Sequence, residues 1–174
     1  GGDSVLTLYL ETDLDPEYFS RLHSPHFFYT PSKLGLGAVQ ARIGDLKSGY
    51  SKDLETVFAW LREYLKLTTY EISIPALRDE HLAPAGKTGL RTSTLMDYPL
   101  VSHIREMGWY DAFKTLCREE ISTVLTAGVY PELDKKTEDG FVSTPLTLMQ
   151  RTGNTGGAIT GWAFTNSRMP AVSS

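Results

Sequence analysis

The chain has 174 residues, 41% hydrophobic and 22% charged, with a formal net charge of -4 and a single cysteine, Cys117. That length suits one domain, able to bury about two-thirds of the surface its unfolded form exposes without a disulfide or metal staple. The acidic balance gives no electrostatic reason to expect a nucleic acid partner, one cysteine cannot form an internal disulfide, and no apolar run approaches the ~18 residues of a membrane span.

The chain opens Gly1-Gly2-Asp3, with neither the basic nor the apolar region of a signal peptide, so a cytoplasmic protein or an excised piece of one is expected. Residues 5–12 alternate, with Leu6, Leu8 and Leu10 on one face and Thr7, Tyr9 and Glu11 on the other, the pattern of a half-buried strand. Asp13, Asp15 and Glu17 resemble the start of a calcium loop, but Pro16 interrupts and Tyr18 stands where the sharp-turn glycine belongs. Capping of a short helix over Pro16–Leu22 is the expected role. His23 and His26 flank Pro25, which breaks any helix that would align them on a metal, so both are expected as solvated loop histidines.

Residues 27–30 form a second candidate strand, stopped by Pro31. Gly35-Leu36-Gly37-Ala38-Val39-Gln40 then comes close to the dinucleotide fingerprint, but Gln40 stands where glycine or alanine must let a helix pack on its strand. Residues 41–49 lack helical periodicity, so this region is expected to be a loop and not a cofactor site. A helix over 53–67 follows from the apolar face of Leu54, Val57, Phe58, Leu61 and Leu65, widened by Trp60 and Tyr64. A third strand over 69–75 and a fourth over 89–98 enclose a charged turn with Pro84 and Gly86, suggesting a hairpin or neighbouring pair.

The stripe Trp109, Phe113, Leu116, Cys117, Ile121, Val124 and Leu125 predicts a helix over 103–127, ended by Gly128. Cys117 on that stripe reads as a small core residue, and His103 with Glu106 as core and surface residues, so no metal site is expected. Asp139-Gly140 marks a tight turn, residues 141–143 are extended, and Thr144-Pro145 starts a short helix through Gln150. Beyond it Gly153, Gly156, Gly157 and Gly161 precede Trp162, describing backbone that passes close to something flat or bulky, since glycine has no Cβ to collide with it.

The chain contains no Gly-x-Ser-x-Gly elbow, phosphate loop, His-Glu-x-x-His or Cys-x-x-Cys. Its acidic residues are scattered, so no catalytic residue is nominated. The residues alone support an α+β domain with a glycine-rich approach loop.

The order of features is more specific. It runs from Ala83-Pro84-Ala85-Gly86-Lys87 after a strand, through a long helix with Tyr110, Phe113 and Lys114, to the Val129-Tyr130-Pro131 turn. Ser143-Thr144-Pro145-Leu146-Thr147 and Gly156-Gly157-Ala158-Ile159-Thr160-Gly161-Trp162 complete it. Over residues 6–162 the chain resembles the phytoene desaturase family, FAD-dependent carotenoid desaturases, isomerases and retinol saturase-like enzymes of the amine-oxidase-like group. The resemblance implies a central, substrate-binding portion without the N-terminal dinucleotide-binding motif, with a mixed, mainly antiparallel sheet and helices covering one face. Residues 1–174 would be a single domain, with 3–142 its core and 143–174 a segment returning towards an absent flavin domain.

Carried over, Gly156, Gly157, Gly161 and Trp162 would lie nearest the flavin, with Thr144 and Pro145 shaping the approach. The intact protein would act on an apolar polyene or prenyl-type substrate, by desaturation, saturation or isomerisation, in the cytoplasm or peripherally on a membrane. The isolated chain would bind no FAD and be inactive, and surface left by the missing flavin segments would favour self-association. Two other readings are a stand-alone binding module for an apolar ligand or partner protein, and an unrelated enzyme built on the loop histidines.

Overall fold

The computed structural model describes residues 4–32, 35–47, 51–79, 81, 86–144 and 146–147. The alternating N-terminal segment forms β1 (Ser4–Thr12), and the later apolar runs form β2 (His26–Tyr29), β3 (Tyr70–Ser73), β4 (Thr88–Met96) and β5 (Thr137–Ser143). They make one sheet in the order β2-β3-β4-β1-β5, with every pairing antiparallel. β1 is flanked by β4 and β5, Leu8 standing opposite Thr92 on one side and Val142 on the other. From Thr7 to Thr12 it has strand partners on both sides, so a stretch with one apolar face can be buried with its backbone groups paired.

Six helices accompany the sheet among the described residues: α1 (Pro16–Leu22), α2 (Leu36–Lys47), α3 (Leu54–Leu67), α4 (Tyr98–Glu106), α5 (Tyr110–Gly128) and α6 (Leu133–Lys136). The fold is therefore α+β, with a wholly antiparallel sheet. Leu6, Leu8 and Leu10 join Ile72, Leu90 and the buried stripes of α3 and α5 in one core cluster. Those stripes are the expected ones, Leu61 and Leu65 on α3 and Phe113, Cys117, Ile121 and Leu125 on α5 all being fully buried. Three threonines that share this face are tied down: Thr12 Oγ1 donates to Thr88 O, Thr88 Oγ1 to Leu14 O, and Thr94 Oγ1 to Thr69 O, whereas the buried Thr92 Oγ1 has no partner among the described residues. Such bonds let hydroxyls sit in an apolar layer.

Helix starts follow the sequence chemistry. Asp53 caps α3 by accepting from Thr56 N and Thr56 Oγ1, and Asp97 caps α4 by accepting from Leu100 N. Asp15 occupies the N-cap position of α1, but its side chain makes no capping bond; its carbonyl accepts from Tyr18 N instead.

Three expectations change. The region expected as a loop after Gly35 is helical over α2, held from outside by an ion pair between Arg42 and Glu63 and by Trp60 Nε1 donating to Val39 O. The helix expected over 103–127 is two helices: Gly108 adopts φ +81°, and Gly108 N and Trp109 N return to Arg105 O and Ile104 O. Apolar spacing continues across that break, so periodicity alone does not show it. Asp139-Gly140 is no turn but part of β5, with Gly140 opposite Leu10. A Cβ there would lie 2.6 Å from Leu10 Cδ2 and 2.8 Å from Tyr9 O, so glycine serves the close approach of two strands. The expected short helix after Thr144 is seen only at residues 146–147, the rest lying outside the described residues. Among the described residues no helix is long and apolar enough to cross a membrane.

Candidate functional site

Side chains alternate along a strand, so burying Leu6, Leu8 and Leu10 against the helices sends Val5, Thr7, Tyr9 and Glu11 to the opposite face. Residues paired across antiparallel strands share a face, which carries this parity through the sheet. One row on that second face runs His26, Ser73, Arg91, Tyr9, Phe141, and the next runs Phe28, Glu71, Ser93, Thr7, Ser143. Leu95 lies opposite Val5 beyond them.

This face is largely uncovered. Phe28, Leu95 and Phe141 are 58%, 47% and 57% exposed, whereas Leu6 and Leu8 on the other face are at 0%. Tyr9 and Phe141 stack with ring centroids 4.7 Å apart, forming an apolar ledge. Among the described residues two clefts open on this face. One of about 270 Å³ lies at the Arg91 end, between the Tyr9–Phe141 ledge, Pro75, Glu11 and Asp139. The other, of about 290 Å³, is bounded by Val5, Phe28 and Leu95 of the sheet and by Leu36 and Gln40 of α2. The helix absent from the sequence expectation thus supplies a wall of the second cleft.

Ionisable groups on this face are few. His26 Nε2 lies 2.8 Å from Glu71 Oε1, with both side chains about one-third exposed. Glu11 Oε1 lies 3.9 Å from Lys87 Nζ, and Asp139 Oδ1 accepts from Gly140 N. Arg91 is half-buried. The surface can hold an extended apolar molecule and can meet a polar end, but no nucleophile with an activating partner is assembled on it among the described residues.

Of the residues expected near a flavin, only Thr144 is described; Pro145, Gly156, Gly157, Gly161 and Trp162 lie outside the described residues. Thr144 is fully buried, its Oγ1 2.6 Å from Tyr110 Oη and accepting from Thr147 N at 3.4 Å. Lys114 Nζ sits 4.9 Å from the centre of the Tyr110 ring. With its hydroxyl so engaged, Thr144 fits a residue that fixes where the last segment leaves β5 better than one whose side chain touches a cofactor.

The histidines expected in solvent are structural. His23 Nε2 bonds to Val129 O at 3.1 Å and its ring stacks on Phe27 at 4.9 Å, while His26 is held by Glu71. His103 is buried, with Nε2 2.9 Å from Ser51 O and its ring edge-on to Trp109. No group of three or more metal-binding side chains occurs among the described residues. Burial raises the Cys117 thiol far above its ordinary range, with Glu120 adding to the effect, so it is not a thiolate nucleophile. Burial likewise raises the Tyr130 hydroxyl.

Phe28, Leu95, Arg91 and Phe141 were not marked by any motif. The one local signal is the parity of β1, which separates Tyr9 from Leu8; the rows appear only once strand order and register are known. No protein-family model matches this sequence, and no curated protein matches it.

Proposed function

We propose that this chain is the substrate-binding portion of a FAD-dependent oxidoreductase of the phytoene desaturase type, with the open sheet face as the wall for an apolar polyene or prenyl-type substrate. The observation that carries the reading is the set of three large apolar side chains, 58%, 47% and 57% exposed, on the uncovered side of a sheet whose other side is packed. Apolar surface gathered in this way marks a binding face more often than an accident of folding. Support also comes from the order of motifs and from the antiparallel sheet with helices on one side.

In this reading FAD, when bound, supplies the hydride chemistry. The chain's own residues bind and orient: Phe28, Leu95 and the Tyr9–Phe141 ledge take the hydrocarbon and exclude water from it. The Thr144 anchor fixes the departure point of a segment whose Pro145, Gly156, Gly157, Gly161 and Trp162 approach the flavin. No general acid or base is assigned, and the chain alone is inactive. The protein works in the cytoplasm or at a membrane surface, and its open face self-associates when left bare.

Expression together with the encoded residues that flank it tests the proposal: the product should be yellow, with a flavin absorption spectrum that survives gel filtration. A well-folded, colourless product overturns it. A colourless product that still bound a polyene would instead favour the stand-alone binding module.

A further inference from the structure

We propose that the molecule lying on the open face ends in a carboxylate, held by the guanidinium of Arg91. The inference rests on the reading of that face as a wall for an apolar ligand, and adds the chemical class of the ligand's polar end.

Arg91 stands in the middle of the open face, opposite Tyr9 on one side and Ser73 on the other. It lines the cleft of about 270 Å³ beneath the Tyr9–Phe141 ledge. Among the described residues it has no ion pair or hydrogen bond, although two carboxylates share its cleft. Those carboxylates are engaged elsewhere, Glu11 with Lys87 at 3.9 Å and Asp139 with the Gly140 amide at 2.7 Å. Gly89 lies on the same face, where an added Cβ would come no closer than 3.9 Å to other atoms, so the floor beside Arg91 is open. The guanidinium is thus a free fork of donors walled by aromatic rings, the geometry that favours a planar anion.

The apolar tail has a direction. From Arg91 the open-face positions of β4 pass Ser93 to Leu95, about 13 Å away at the rise of an extended strand. Ser93 and Thr7 between them share a hydrogen bond, their hydroxyls 2.8 Å apart, which lowers the polarity they present to a hydrocarbon. At Leu95 the tail reaches Val5 and Phe28 in the second cleft. Glu11 and Asp139 already balance Lys87 and Arg91 in charge at the head, so each further negative charge is opposed and a singly charged carboxylate is favoured over a phosphate dianion.

The test uses the 174-residue chain with cis-parinaric acid, a fluorescent polyene carboxylic acid, and its methyl ester as probes. The acid should bind about tenfold tighter than the ester, the effect of one charge-assisted contact. Arg91→Gln should bring the acid to the affinity of the ester and leave the ester unchanged, with Arg91→Lys between. Circular dichroism confirms that each variant is folded. Equal binding of acid and ester, or a preference that survives Arg91→Gln, overturns this inference and leaves the apolar wall standing. Failure of both probes to bind overturns the inference and the wall together.

Discussion

Leu8 and Tyr9 are neighbours in β1, yet Leu8 is fully buried in the core cluster that includes the apolar stripes of α3 and α5, while Tyr9 faces a side where Phe28 and Phe141 remain more than half exposed. The covered face is made of leucines, isoleucines and threonines whose hydroxyls mostly bond to nearby carbonyls. The open face alternates aromatic rings with His26, Glu71 and Arg91. A face selected only for solvent does not need exposed phenylalanines, and one selected only for stability does not leave them half bare. The contrast assigns folding to one side of the sheet; under the proposed function recognition belongs to the other, and substitutions can separate the two.

The largest effect belongs to the covered face. Leu8→Ala removes a fully buried side chain flanked by Thr92 and Val142 and leaves a cavity under the helices. It should destabilise the fold by about 2–5 kcal/mol, read as a lower urea midpoint. Next comes Gly140→Ala, because the new methyl would meet Tyr9 O at 2.8 Å and Leu10 Cδ2 at 2.6 Å. The side chain can move but the carbonyl is held in the sheet, so β5 must shift, at a cost of about 1–3 kcal/mol in the same measurement. A neutral Gly140→Ala would show that β5 is loosely held and that the ledge it carries is not fixed.

Phe28→Ala brings out the other half of the contrast. Phe28 sits on the edge strand β2, 58% exposed, and its one ring contact among the described residues is edge-on to His26 at 5.8 Å. Its loss should change stability by no more than about 0.5 kcal/mol while weakening binding of the parinarate ester. A large loss of stability would place Phe28 with the core and remove a main support for the binding face.

Much of the covered side was legible in sequence. The alternation of Leu6, Leu8 and Leu10 and the stripe from Val57 to Leu65 express local periods that burial then uses. α2 was not legible, because its glycines dilute any stripe and its support comes from Arg42–Glu63 and Trp60–Val39, contacts with another helix. The Gly108 break was hidden by apolar residues on both sides of it, and Gly140 was mistaken for a turn because Asp-Gly usually makes one. The open face was the least legible part. Tyr9, Arg91 and Phe28 lie in separate segments of sequence, and only the order β2-β3-β4-β1-β5 brings them onto one surface. The glycine-rich segment ending at Trp162 was conspicuous in sequence and lies outside the described residues.

The smallest effect tests how the helix layer over the covered face is fastened. The Asp53 carboxyl lies below its ordinary value of 3.8, chiefly through the Thr56 hydroxyl and then the Thr56 amide, both of which donate to it. A carboxylate with a lowered folded-state pKa adds stability that is fully present above the unfolded value and is lost as pH falls through the folded one. The side chain is fully exposed, so the contribution is small and weakened by salt. Asp53→Asn keeps a good capping residue without a titrating group. Above about pH 5 the parent should hold a slight advantage in urea midpoint at low salt, and that advantage should vanish as pH falls through the lowered folded-state value. A difference that does not change with pH would mean that the charge at Asp53 is irrelevant to α3, and that burial of Val57, Leu61 and Leu65 alone keeps the helix on the sheet.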